Sequence, residues 1–227
     1  MDVRLHFQEA GAGDALIMLH GNGEDHTFFE HQVPAFARSF RVIALDTRGH
    51  GASPRGRRPF TLDQFACDVH DFMDEQEVQR AHLLGFSDGG NIALLFALAH
   101  PQRVASLVLN GANLFPEGLT AEVRAEDDAA WVRAQQMGDT HTLDLLRLMR
   151  DEPHIDPAQL SALEGIPALV VAGSRDMIQE DHTRLIAQSI PGAELAILDG
   201  THFVAAEDPD AFNRVVGDFY AAHGFGM

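Results

Sequence analysis

The feature that most constrains this chain is a repeating one. Short, almost purely aliphatic runs alternate with stretches of helical periodicity from one end of the sequence to the other. The runs fall at 3–7, 16–19, 42–45, 82–86, 104–109, 168–172 and 195–198, and helical patterns fill 27–38, 61–78, 88–100, 180–189 and 209–223. Runs without an exposed polar face suit strands that are covered on both sides. Strands separated by helices of this length read as βα units around a mostly parallel sheet, so the expected class is α/β. Thr61 followed by Gln64 predicts a capping box, and Phe65, Val69, Phe72 and Met73 then recur at helical spacing.

One stretch breaks the alternation. Residues 112–165 contain no good strand and read as two or three short, charge-rich helices. Trp131, Val132, Met137, Leu143, Leu145, Leu146, Leu148 and Met149 give them an apolar side. Such an insert is too long for a plain loop. The expected organisation is a core formed by 1–111 and 166–227, with 112–165 as a helical cap.

Composition removes several chemistries. The 227 residues include no lysine, so all 16 basic side chains are arginine. P-loop NTPases, protein kinases, PLP enzymes and Schiff-base aldolases all require a lysine amine and are therefore excluded. A net charge of −18 repels the phosphate backbone and anionic lipid, which leaves small molecules as the expected partners, with neither nucleic acid nor membrane among them. The lone Cys67 permits no internal disulfide. The first residues show no apolar signal core and the longest apolar run, 92–99, is too short to span a bilayer, so the expectation is a soluble, cytoplasmic protein. Nothing in the sequence sets the oligomeric state.

The chemistry-bearing residues sit where aliphatic runs end. The run 82–86 leads directly into Gly85-Phe86-Ser87-Asp88-Gly89-Gly90 and then into a helical pattern. Strand, Gly-x-Ser-x-Gly, helix is the context in which a serine hydroxyl is lifted to the sheet edge beside the amides of a helix N-terminus. The run 16–19 ends in His20-Gly21-Asn22-Gly23, a turn able to aim the Asn22 amide at a developing oxyanion, with the Asp88 amide as its second donor. Gly-x-Gly-x-x-Gly would need glycine where His26 stands, so a dinucleotide fingerprint is absent. A carboxylate, Asp176, follows the run 168–172, and an imidazole, His202, follows the run 195–198. Asp199 competes for the carboxylate role, but three residues before His202 on the same turn it reaches the ring less readily. Thirteen histidines invite a metal, yet no HExxH or CxxC pattern occurs, so neither metal nor cofactor is expected. Asp68 to Asp71 reads as an exposed helix side, and Arg55, Arg57 and Arg58 as a solvated turn.

Taken in order, His20-Gly21, Asp46-Thr47-Arg48-Gly49-His50-Gly51-Ala52-Ser53, the turn at Ser87, Asp176 and His202 resemble the α/β-hydrolase fold family over the whole length except the insert. The resemblance implies about seven strands, helices on both faces and a small cap, with the first edge strand of the family absent. It implies a Ser87–His202–Asp176 triad acting on a small carboxylic ester, thioester or lactone, and a structural role for the Asp46–Ser53 turn. The elbow is also similar to that of the biphenyl-hydrolase-like group that includes valacyclovir hydrolase, in which the acidic residue after the nucleophile binds a substrate amine. Asp88, with Glu24 and Asp25 on the neighbouring turn, would then attract amines; the simpler reading is that Asp88 complements the helix dipole. Phe28, Phe29, Trp131, Met137 and Met177 are the expected pocket walls. A ligand-binding protein of the same fold without turnover stays open.

Overall fold

The computed structural model describes residues 2–226. In chain order the strands are β1 (Phe7–Ala10), β2 (Ala15–Leu19), β3 (Arg41–Leu45), β4 (Ala81–Phe86), β5 (Val104–Asn110), β6 (Ala168–Arg175) and β7 (Glu194–Thr201). The helices are α1 (Gln32–Phe36), α2 (Leu62–Glu75), α3 (Asp88–Ala99), α4 (Ala121–Met137), α5 (Thr140–Asp151), α6 (Glu180–Ser189), α7 (Val204–Glu207) and α8 (Pro209–Ala222). The strands form one seven-stranded sheet in the order β1-β3-β2-β4-β5-β6-β7, parallel throughout except for β1.

The aliphatic runs are buried on both faces because successive side chains point opposite ways. Ile17, Leu19, Ile43 and Leu83 pack with Phe65, Phe72, Ile92 and Ile186 from α2, α3 and α6. Leu16, Met18, Val42 and Leu84 pack with Phe36, Phe212, Val216 and Phe219 from α1 and α8 on the other face.

Several expectations need correction. The first strand is not 3–7 but Phe7–Ala10, antiparallel to β3. Phe7 pairs with Leu45, the last residue of β3, so residues before Phe7 have no strand beside them, although Val3 and Leu5 are still buried. The single helix expected over 27–38 is a 3-10 turn, His26–Phe29, followed by α1. Pro34 explains the break: it has no N–H to donate to the carbonyl of Glu30, and its ring crowds that position. Thr61 caps α2 through Gln64 N, but the Gln64 side chain turns to Asp68, so the capping box is half formed. Asp68 itself is buried, not exposed. It receives Nε and Nη2 of the fully buried Arg48 at 2.6 and 2.7 Å.

The stretch 112–165 is helical, and α4 is longer than the short helices expected. Its apolar residues are poorly covered: only Ala134 is buried, and Val132 and Met137 are exposed. Helix α5 is better anchored, with Leu146 and Leu148 buried. Arg55 reaches across to Asp144 of α5 at 2.9 Å and lies over the Phe60 ring, so it is an inter-element tie and not simply solvated. Among the described residues, no helix is long and apolar enough to cross a membrane.

Candidate active site

Strand β4 ends at Phe86 and α3 starts at Asp88, so Ser87 alone makes the turn. Its backbone lies at φ 53°, ψ −120°, a region that side chains rarely adopt and that costs about 1–3 kcal/mol. Hydrogen bonds from Ser87 N to Asn110 O and from Gly90 N to Ser87 O, both 2.8 Å, hold it there. The tightness of the turn dictates its small residues. A Cβ on Gly89 would stand 1.9 Å from the carbonyl oxygen of Leu19, because α3 begins directly against the end of β2.

His202 follows β7 and Asp176 follows β6. Nδ1 of His202 lies 2.6 Å from Asp176 Oδ1, with both side chains almost wholly buried. Asp176 also accepts from Ile178 N at 2.9 Å and Gly173 N at 3.3 Å, so the turn after β6 locks its carboxylate. With Asp176 as acceptor, Nδ1 carries the ring proton and Nε2 presents a lone pair. Asp199 points away, exposed, to Arg175. His202 Nε2 is buried and, among the described residues, has no hydrogen-bond partner. The hydrogen bond from Ser87 Oγ to Nε2 is thus not formed here. Such bonds often close only around a substrate. Ser87 and His202 nevertheless line one cavity of about 140 Å³, together with Asn22, Glu24, Phe86, Met149, Met177 and Phe203.

The turn after β2 faces this cavity. His20 is buried. Its Nδ1 meets Gly21 O at 2.7 Å and its Nε2 accepts from Thr47 N at 3.0 Å, which ties the turn to the end of β3. Burial pushes the His20 pKa down despite the Gly21 carbonyl, so the ring is neutral and anchors by hydrogen bonding alone. Among the described residues, the amides of Asn22 and Asp88 donate to no protein acceptor. The Asn22 side chain donates to Asp88 Oδ2 at 2.9 Å and to the Leu145 carbonyl of α5 at 3.0 Å.

Acidic groups concentrate here. Glu24 Oε2 accepts from Gly21 N at 3.1 Å, and burial raises its carboxyl to about 7 against the opposing pull of that N–H and of His202. Burial likewise raises Asp88, which receives only amide N–H groups, from Asn22 and Asn91, and no basic side chain among the described residues. Asp88 and Ser87 border a nearly filled space of about 10 Å³ with Asn113, Met149, Glu152 and Met177. The Glu24 shift has a testable consequence. Its native pKa exceeds the unfolded value of 4.5, so its contribution to stability is complete below that value and is lost as pH rises through about 7. The melting temperature of Glu24→Gln relative to the parent should therefore rise between pH of about 5 and 8. A flat difference in parallel thermal melts would contradict the assignment.

Of the expected pocket walls, Met177 lines the cavity and Phe28 stacks on Phe86, with ring centroids 4.2 Å apart. The others lie elsewhere. Phe29 is fully buried in the core beneath the sheet. Trp131 lies against Arg150 and Arg147, at 4.7 and 5.8 Å. Met137, at the C-terminus of α4, is 80% exposed. Asp25 caps the 3-10 turn through Thr27 N and Thr27 Oγ1, which takes its carboxylate away from the cavity. Three lining residues escaped the sequence reading of the pocket: Phe86, Met149 and Phe203. The adjacency of Phe86 to Ser87 and of Phe203 to His202 was the available signal.

A histidine-rich group also gathers beside this turn. His6, His26 and Asp46 each offer a ligand atom, and these atoms lie within 4.8 Å of one another.

Comparison with known proteins agrees with this architecture. The family model described as alpha/beta hydrolase fold matches residues 14–152. The chain is 28% identical to 3-oxoadipate enol-lactonase 2 of Acinetobacter baylyi, covering 95% of this chain and 92% of that protein. It is also 28% identical to serine hydrolase BPHL of Homo sapiens, over 96% of this chain and 83% of the relative. The crystal structure of the enol-lactonase from Burkholderia xenovorans LB400 superposes with a TM-score of 0.81 at 26% identity, covering 96% of this chain and 97% of that one. With the family model spanning most of the sheet and both the Asn22 and Ser87 turns, the chain belongs to the α/β-hydrolase fold family.

Proposed function

We propose that this protein is a serine hydrolase that cleaves a small carboxylic ester, or a related thioester or lactone, through an acyl-enzyme on Ser87. One observation carries the reading: Ser87, held at positive φ between β4 and α3, shares a cavity with a histidine whose far nitrogen is paired to a buried, backbone-locked aspartate. His202 Nε2 takes the hydroxyl proton as Ser87 Oγ bonds to the substrate carbonyl carbon. The carbonyl oxygen becomes an oxyanion that the Asn22 and Asp88 amides receive. Collapse breaks the bond to the leaving group, which takes the proton from His202. Water then repeats the sequence and frees the acid and Ser87. Asp176 holds the ring tautomer and stabilises the imidazolium. No step needs a cofactor. Helix α5, with α4 packed against it, acts as a cap over the cavity, a reading supported by Met149 of α5 at its wall and by the Asn22 bond to Leu145 of α5. The enol-lactonases among the relatives favour a lactone within this substrate class, and the relative named a serine hydrolase favours a serine nucleophile.

Rapid mixing with a short p-nitrophenyl ester should give a burst of nitrophenol. Incubation with a fluorophosphonate should add one phosphonyl group, mapping to Ser87 in peptide mass spectra. Modification at another residue would overturn the reading.

Asp88 supports a narrower version, hydrolysis of esters that carry an amine. A buried carboxylate beside Ser87 with amide donors but no cationic partner is better satisfied by a ligand ammonium, and Glu24 lines the same cavity as Ser87. Asp88→Asn should lower kcat/KM for a valyl ester by about tenfold or more while leaving an isosteric uncharged ester within about threefold. Equal losses on both substrates, in parallel initial-rate assays, would remove the amine from the proposal.

A further inference from the structure

The group formed by His6, His26 and Asp46 has no part in the acyl-transfer scheme, yet it brings two imidazoles and one carboxylate together from three separate segments. His6 precedes β1, His26 opens the 3-10 turn after the Asn22 loop, and Asp46 follows β3. His6 Nδ1 lies 2.8 Å from Asp46 Oδ2, and His26 Nδ1 lies 2.7 Å from Asp46 Oδ1. Asp46 also accepts from His26 N at 2.7 Å and Ala52 N at 2.9 Å, so backbone amides hold its carboxylate in place. The Asp46 side chain is fully buried, that of His26 nearly so, and that of His6 is 40% exposed, which leaves one open side toward solvent.

We infer that His6, His26 and Asp46 form a binding site for a divalent first-row transition-metal ion, with zinc as the ion best matched to two imidazoles and a carboxylate. The donor set suits this class and not calcium or magnesium, which prefer all-oxygen shells. Zinc at about 2.0–2.1 Å from each ligand in a tetrahedral arrangement requires ligand atoms roughly 3.4 Å apart. One Asp46 oxygen serves as the third ligand, so the Nδ1 that is hydrogen-bonded to it must move away by about half an ångström, while the other ligand separations, all within 4.8 Å, settle to the same value and solvent at the His6 side supplies the fourth position. The proton balance is simple. A neutral histidine that donates from Nδ1 shifts that proton to Nε2 by exchange with water, and Nδ1 becomes the ligand. The bound ion would pin the His26 end of the loop that carries Asn22 and Glu24 to β3 and to the lead-in of β1. It is a structural site, separate from Ser87, and it does not depend on the esterase reading.

Zinc is the probe. Calorimetric titration of the metal-free full chain should show one ion per chain and a higher melting temperature in excess zinc, while magnesium at the same concentration changes neither. His6→Gln and His26→Gln, which keep a side-chain N–H for Asp46, should each weaken zinc binding at least tenfold. X-ray absorption of the zinc-loaded parent should show nitrogen and oxygen neighbours with imidazole scattering, a readout that needs no variant. Absence of stoichiometric binding, unchanged affinity in both variants, or a shell without imidazole would each show that the group is a hydrogen-bonded network only and overturn the assignment.

Discussion

Replacement of Ser87 by alanine is expected to lower kcat for a good ester substrate by roughly 10⁴- to 10⁶-fold, which corresponds to about 5–8 kcal/mol of transition-state stabilisation. The size follows from the proposed mechanism. Without Oγ there is no acyl-enzyme, and a bound water must attack from a place the turn was not shaped to hold. The loss should stop short of the uncatalysed rate, because the Asn22 and Asp88 amides and the cavity stay in place and can still stabilise an oxyanion. His202→Ala should fall almost as far, and the double variant no further than the worse single one, since the two side chains act as a unit. The measurement is kcat/KM for a p-nitrophenyl ester in parent, single and double variants, with folding checked by circular dichroism. Additive losses would argue that the two residues do not share one proton-transfer step.

The second large effect concerns stability and lies away from the cavity. Asp68→Ala should destabilise the fold by about 3–5 kcal/mol, because it leaves the Arg48 guanidinium buried with its bidentate partner gone. Asp2 still meets Arg48 Nη2 at 2.7 Å, but its side chain is partly exposed and cannot replace two buried bonds. At about 2–4 °C per kcal/mol for a chain of this size, the melting temperature should drop by roughly 10 °C. Removing both charges should be gentler. Arg48→Met with Asp68→Leu should recover most of the loss, since the penalty arises from an unpaired buried charge and not from the absence of a salt bridge. Differential scanning calorimetry of the two variants decides this. A double variant as unstable as Asp68→Ala would show that the ion pair is itself the stabilising element.

The contrast between Asp68 and the strands shows what could be read without coordinates. Runs such as Leu16 to Leu19 declare themselves because both faces of a strand are buried, so every position carries the signal. Asp68 shows no such signal. Its burial depends on an arginine twenty residues earlier in the chain reaching under α2, and nothing local to Asp68, Val69, His70 and Asp71 announces it. The same distinction runs through the site. Ser87, Asp176 and His202 stand at strand ends beside short turns, where the local sequence dictates position, and the structure brings His202 against Asp176 and into one cavity with Ser87. Pocket walls depend on which way a helix is rotated. Phe29 turned into the core, Trp131 turned to two arginines and Met137 turned to water, each set by packing between distant elements. Pro34 was visible in the sequence, and its effect on the helix after the 3-10 turn is a local rule that the periodicity alone obscured.

Asn22 carries a consequence for how the molecule handles substrate. Its backbone amide faces the proposed seat of the oxyanion, while its side chain is clasped at once by Asp88 and by the Leu145 carbonyl of α5. Helix α5 therefore cannot swing outward without releasing a hydrogen bond from the residue that would steady the reaction's negative charge. Under the proposed mechanism, α5 and the oxyanion turn are therefore mechanically joined through one side chain, so that any displacement of the helix would be felt at the residue that receives the negative charge.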